Sequence, residues 1–184
     1  MEKNPTIGEL KQVPVGKFVY GEAVAMLLDE AELYIASKGN WTHGPAAEFA
    51  EILENQSISK IGVGLKSGIK AISDCGVSLS GRLFDLEIMH YLLNPERNHS
   101  LEALAEQYLG LSLEKVEEVE QASLFDADSE GEQKKDFGRD LEAILLIFEK
   151  LSAEMQSVPA LGRLYAEIEE PLVSVLARME QVGV

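Results

Sequence analysis

The sequence predicts an α/β fold that ends in a long helix interrupted by a proline. Three observations point there. Short continuous apolar runs bounded by turn residues, the mark of buried strands, lie in the first third of the chain. Stretches with apolar residues at three- and four-residue spacing alternate with those runs and then replace them, which is the order of an α/β domain. The 184 residues, 46% of them hydrophobic, suffice for one domain with its own core.

Residues 1–16 are polar, with Pro5, Gly8, Pro14 and Gly16 as breakers, and form a lead-in with at most a short strand. Residues 18–20 read as a short strand. The run 23–28, Ala-Val-Ala-Met-Leu-Leu, reads as a buried strand. Asp29-Glu30 is a turn, and 31–36 is the return strand of a hairpin. Residues 38–42 read as loop, with Trp41 covering a core edge beside His43. Pro45 opens a helix over 45–55, where its missing amide hydrogen is harmless, and Ala46, Phe49, Ala50, Ile52 and Leu53 turn inward. A short strand over 59–63 comes next, then a helix over 65–74 carrying Leu65, Ile69 and Ile72 on one face. Cys75, the single cysteine, has no internal disulfide partner. It reads as a small core residue of a protein kept in a reducing cytoplasm. Residues 76–81 are a connection or a brief strand.

The stretch 83–95, Leu-Phe-Asp-Leu-Glu-Ile-Met-His-Tyr-Leu-Leu-Asn-Pro, organises the rest. Leu83, Leu86, Ile88, Met89, Leu92 and Leu93 recur at helical spacing. Asp85 is the cap, because its carboxylate can accept the free amide hydrogens of a first turn. Asn94-Pro95 stops the helix. Ser100 then starts a second capped helix and Gly110 ends it. His90 reads as a structural residue of the first of these helices. Residues 113–122 predict a short exposed helix with Val116 and Val119 among glutamates. The acidic run about 123–135 lacks the apolar residues that offset ordering entropy and is expected to be a mobile loop. Its Asp126, Asp128, Glu130 and Glu132 miss the glycine and terminal ligand of a calcium loop. A long helix over 137–155 presents Leu141, Ile144, Leu145, Phe148 and Leu151. Pro159 separates it from the last helix, 160–182, in which Pro171 forces a break or kink. The domain expectation is 1–158 for the body and 159–184 for a linking helix.

Asp plus Glu is 32 against 16 Lys plus Arg, a net charge of −16. Such a surface repels phosphate backbones, so weak or no DNA binding is expected of these residues by themselves. The acidity fits either ordinary solubility or a domain that leaves DNA handling to another part of its chain. No apolar run approaches the ~20 residues that span a bilayer, and no signal peptide opens the chain, so the reading is cytoplasmic with no membrane partner. There is no Walker loop and no Gly-x-Ser-x-Gly elbow, and His43, His90 and His99 show no metal spacing with Cys75.

The two capped helices resemble a segment of the 3′–5′ proofreading exonuclease domain of bacterial family A DNA polymerases (DNA polymerase I). There an F-D-x-x-x-x-x-Y-L-L-N-P helix precedes an S-L-x-x-L-A-x-x-Y-L helix. The chain end, Tyr165-Ala-Glu-Ile-Glu-Glu-Pro-Leu-Val-Ser-Val-Leu-Ala-Arg-Met-Glu-Gln-Val-Gly-Val184, is similar to that family's junction between exonuclease and polymerase domains. The resemblance implies a ribonuclease H-like sheet flanked by helices. It also implies two-metal hydrolysis, in which hard carboxylate oxygens hold two divalent ions.

Active relatives carry those carboxylates in three motifs. Lys60-Ile-Gly-Val-Gly-Leu-Lys-Ser-Gly68 is similar to K-V-G-Q-N-L-K-Y-D. On that match asparagine has become Gly64, tyrosine Ser67 and the metal-binding aspartate Gly68; Asp74 lies almost two helical turns further on. The Asp-x-Glu motif has its best counterpart in Tyr20-Gly-Glu22, with only Glu22 retained. Tyr-x-x-x-Asp maps to Asp136-Phe-Gly-Arg-Asp140, where Asp140 keeps the aspartate and Asp136 replaces the tyrosine. Asp136 and Asp140 share a helix face at four-residue spacing, or Asp136 simply serves the helix start.

The remnant candidates are therefore Glu22, Asp136 and Asp140. No catalytic residue, metal or cofactor is expected for these residues, and Mg2+ is expected for a parent polymerase. The resemblance implies a domain whose metal ligands are largely lost and which braces the polymerase domain of the same chain, a DNA-directed DNA polymerase of replication and repair. DNA would be reached through that parent enzyme. The alternatives are a residual metal-dependent exonuclease using the three remnants, or a free-standing interaction domain docking through the Pro171 helix.

Overall fold

In the computed structural model of the chain, residue 8 and residues 10–29, 32–113 and 135–182 are described. The expected helix over 113–122 and acidic loop over 123–135 lie, apart from Leu113 and Lys135, outside these residues.

Six strands form one mixed sheet: β1 Lys11–Gln12, β2 Ala23–Asp29, β3 Glu32–Ser37, β4 Asn40–Pro45, β5 Ser59–Gly62 and β6 Leu83–Asp85, in the order β1-β4-β3-β2-β5-β6. The apolar run of β2 makes it central. It pairs antiparallel with β3, Ala25 opposite Ala36 and Leu27 opposite Tyr34. On its other side it runs parallel to β5, Ala25 opposite Ile61. β6 continues the sheet in parallel beyond β5.

Strand alternation divides β2 between two cores. Ala25, with Ala23 and Leu27 beside it, packs on one face against the long helix α5, Phe137–Ser157. Val24 and Met26 face the other core, built with Phe49, Leu53, Leu65 and Ile72.

The expected hairpin, the strand beginning at Ser59 and the helix α2, Leu65–Asp74, are all present. Residues 18–20 are not a strand; a 3-10 turn over Val15–Lys17 precedes them. The expected loop over 38–42 is instead a tight turn at Lys38-Gly39 leading into β4. Both turn residues have positive φ, +46° and +75°, which is the turn geometry that matches strand twist in two-residue hairpins. Pro45 therefore ends a strand rather than opening a helix. Beyond it the chain makes a 3-10 turn, Ala46–Phe49, and one α turn, α1 Ala50–Leu53.

Leu83–Asp85 is strand β6, and the helix proper, α3, spans Leu86–Leu93. Asp85 is its cap, accepting a hydrogen bond from the Glu87 amide at 3.1 Å. Ser100 caps α4, Leu101–Leu109, accepting from the Ala103 amide at 3.3 Å, and Gly110 closes it with a left-handed φ of +67°. Cys75 is exposed, not a core residue: it caps the carboxyl end of α2, where the chain turns back at Gly76.

After α5, Pro159 takes the first position of α6, Pro159–Leu164. A π-turn over Tyr165–Glu169 joins α6 to α7, Glu170–Val182. Val173 and Ala177 of α7 are buried, and α7 packs on α2. Ile168, Leu172, Val175, Leu176 and Met179 remain exposed.

Candidate functional site

The amino ends of α2 and α5 carry two of the three motif regions. Each takes its position from local chemistry. α2 begins at Gly64, whose φ of +61° is left-handed. Glycine and asparagine are the residues that visit this region readily. Gly64 therefore keeps the backbone shape that an asparagine would hold there, without its side chain.

With no capping side chain of its own, α2 borrows one. The Leu65 amide donates to Asp85 Oδ2 at 2.7 Å and the Gly64 amide to Asp85 Oδ1 at 3.4 Å. Asp85 is 2% exposed. Burial pushes its carboxyl up from the usual range, against the opposing pull of the Leu65, Glu87, Gly64 and Ile88 amides. Ser67 is exposed. A Cβ added at Gly68 would meet nothing within 4 Å, so the position is open.

α5 is placed by aromatic contacts over the middle of the sheet. Phe137 stacks on Tyr34 of β3 with ring centroids 3.7 Å apart. Gly138 lies against Trp41, so close that a Cβ would fall 2.6 Å from the indole nitrogen. Trp41 is thus the half-buried edge cover expected of it. Asp136 caps this helix, its carboxylate accepting from the Arg139 amide at 3.1 Å.

Asp140, in the first turn, is buried, and its carboxyl is pushed up to about 6. Desolvation is the main cause; Asp136 and Glu102 add to it, and Lys135 and Arg139 oppose it. A raised carboxyl pKa means that the folded state holds its proton through a range where the unfolded chain, near 3.9, has released it. The Asp140 contribution to stability therefore falls as pH rises from about 4 to about 6. Asp140→Asn is expected to stabilise the fold at pH 7 by about 1 kcal/mol, a figure discounted for partial solvation, and to give no gain at pH 3.5. Urea denaturation at the two pH values measures it.

Glu22 is exposed, immediately before β2. Its carbonyl accepts from the Ser59 amide at 2.8 Å. Glu22 is not among the charged groups that shift the Asp140 carboxyl, which are Lys135, Asp136, Glu102 and Arg139. The β2 positions that do face α5 are Ala23, Ala25 and Leu27. Asp74 ends α2 as an exposed residue.

Two acidic side chains near Asp140 and α5 were not singled out from the sequence. Glu102, in the first turn of α4, repels both Asp140 and Glu87 and helps push their carboxyls up, behind desolvation in each case. Glu142 is buried and accepts from the Gly8 amide at 2.7 Å. Neither belongs to a motif; only their positions on helices that fold together reveal them.

A pair of divalent ions needs several convergent oxygen ligands. Among the described residues, no group of three or more His, Cys, Asp or Glu side chains is placed to hold one ion. The described residues by themselves do not form a two-metal centre. Nor is any helix among the described residues long and apolar enough to cross a membrane.

Comparison with known proteins bears on the same region. The family model described as 3′–5′ exonuclease matches residues 22–156. DNA polymerase I of Synechocystis sp. is 30% identical over 138 residues, 73% of this chain and 14% of that protein. The chain thus spans about a seventh of that relative's length. Among solved structures, Brucella melitensis NrnC bound to pGG superposes with a TM-score of 0.70 at 15% identity, over 94% of this chain and 91% of that one. The POL domain of Pol1 from M. smegmatis, in complex with DNA primer-template and dNTP, gives 0.66 at 21% identity, over 85% of this chain and 28% of that one. The sheet order and flanking helices are those of a ribonuclease H-like nuclease fold. With the matched residues spanning the sheet, α2 and α5, the chain belongs to the 3′–5′ exonuclease domain family of the bacterial DNA polymerase I enzymes.

Proposed function

We propose that this domain keeps the exonuclease fold as a scaffold for a polymerase domain of the same chain, with its catalytic metal ligands largely lost. The observation that carries the reading is the face that β2 turns to α5: Ala23, Ala25 and Leu27 offer no oxygen ligand there, whereas two-metal chemistry needs convergent carboxylates, and the α2 position matched to a metal-binding aspartate is Gly68. Of the matched carboxylates Asp140 is kept on α5 and Glu22 lies exposed before β2, while Asp136 is engaged in capping a helix.

The parent enzyme is then a DNA-directed DNA polymerase of replication and repair, using Mg2+ at its own polymerase site. DNA is handled by that part of the chain rather than by this acidic domain. The apolar face of α7, with Leu172, Val175, Leu176 and Met179 exposed, supports a packed neighbour on that side. The same face supports the second reading, a free-standing interaction domain.

Manganese titration monitored by electron paramagnetic resonance tests the loss of ligands. The expected result is no saturable binding below millimolar concentration, in the wild-type chain as in Asp140→Ala. Submillimolar binding that Asp140→Ala abolishes would favour a residual metal-dependent exonuclease.

A further inference from the structure

β6 is an edge strand, so its outward backbone groups have no neighbouring strand. Two side chains from the end of the chain take that place. The Tyr165 hydroxyl donates to the Leu83 carbonyl at 2.9 Å and accepts from the Asp85 amide at 2.8 Å. Glu170 Oε1 accepts from the Leu83 amide at 3.1 Å, while its Oε2 pairs with Arg82 at 3.0 Å. Tyr165 is 3% exposed, and its ring lies parallel to Phe84 of β6.

In a regular α-helix, residues five apart point about 140° away from each other, since each residue turns the chain by about 100°. Tyr165 and Glu170 could not then both reach one strand edge. The π-turn solves this, because the Glu170 amide closes onto the Tyr165 carbonyl. Pro171 selects that turn. It has no amide hydrogen for the Glu167 carbonyl, and its ring would collide with that carbonyl in α geometry.

The strand residue held by Tyr165 is also the residue that caps α2. Asp85 gives its amide to the tyrosine and receives the Gly64 and Leu65 amides on its carboxylate. We propose that Tyr165 and Glu170 form a latch that fixes the heading of α7 and, through Asp85, holds the amino end of α2. Whatever grips the exposed face of α7 is thereby coupled to the segment that begins at Gly64. The latch does not depend on whether the domain cleaves DNA, so its failure would leave the scaffold reading standing.

Tyr165→Phe in the 184-residue chain is the test, because it removes one oxygen and keeps the buried ring. Amide hydrogen exchange is compared with wild type. The expected result is exchange faster by at least about tenfold at Asp85, Gly64 and Leu65, with the central-sheet amides of Met26 and Ile35 unchanged. Glu170→Ala should speed Leu83 in the same way. Acceleration confined to Asp85, or an equal acceleration at Met26 and Ile35, overturns the coupling.

Discussion

Replacing Asp85 by alanine should destabilise the domain by about 3–5 kcal/mol, the sum of two helix caps and of buried amides left without acceptors. One carboxylate serves two helices, accepting from Gly64 and Leu65 at the start of α2 and from Glu87 at the start of α3. Alanine would leave these donors in a site where the residue is 2% exposed and water cannot take over. Asp85→Asn is the informative partner. One amide oxygen could still satisfy one side, but its NH2 group would face donors on the other. Its expected loss is smaller than that of alanine and clearly above zero. Urea unfolding of both variants, with hydrogen exchange at Gly64 and Leu65, measures the ordering. Equal stability of wild type and Asp85→Ala would mean that α2 does not depend on this cap.

Gly81→Ala is the second large effect, expected to cost about 2–4 kcal/mol from backbone strain and overpacking together. Its φ is +85°, and an added Cβ would fall 2.5 Å from the Ile58 carbonyl and 3.0 Å from that of Asn55. These are backbone atoms and cannot rotate away. The same loop is tied from within by Lys60, fully buried, whose ammonium donates to the Asn55 carbonyl at 2.7 Å and to that of Ser80. Burial pulls the Lys60 ammonium down to about 8, so it is still charged at neutral pH and holds both carbonyls. Gly81→Ala must push this loop off the lysine as well as off its own neighbours. A midpoint unchanged in thermal unfolding would contradict the close approach.

The helices were legible where capping chemistry is local. Asp85, Ser100, Gly110 and Asn94-Pro95 mark ends that are written in single residues, and the structure places each end there. β4 was illegible because Asn40, Thr42, Gly44 and Pro45 carry turn chemistry. Its strand character comes from antiparallel pairing with β3 across a turn in which Lys38 adopts positive φ. Leu83 reads as part of a helix because a spacing of three to Leu86 fits either a helix face or a strand that ends where a helix begins, and the structure has the second. Cys75 reads as interior on residue type alone, whereas its position at the end of α2 puts it outside. Of the candidate site, the starts of α2 after Gly64 and of α5 after Asp136 are readable. What spacing could not give was the face of the central strand. Alternation within β2 settles that Ala25 and not Val24 looks toward α5, and only the pairing register fixes the alternation. Pro171 reads as a break or kink, whereas the irregularity is a π-turn just before it, Tyr165–Glu169, and its reason, two side chains reaching one strand edge, lies in tertiary contacts.

The most direct test of the scaffold role is digestion of a single-stranded oligonucleotide labelled at its 3′ end, by the purified chain with magnesium and then manganese, beside Asp140→Ala. On the proposed loss of ligands neither ion gives shortening above the variant, since two-metal hydrolysis needs convergent carboxylates and no such group is placed among the described residues. Cleavage by the wild-type chain that Asp140→Ala abolishes would contradict that role and establish the domain as a working exonuclease.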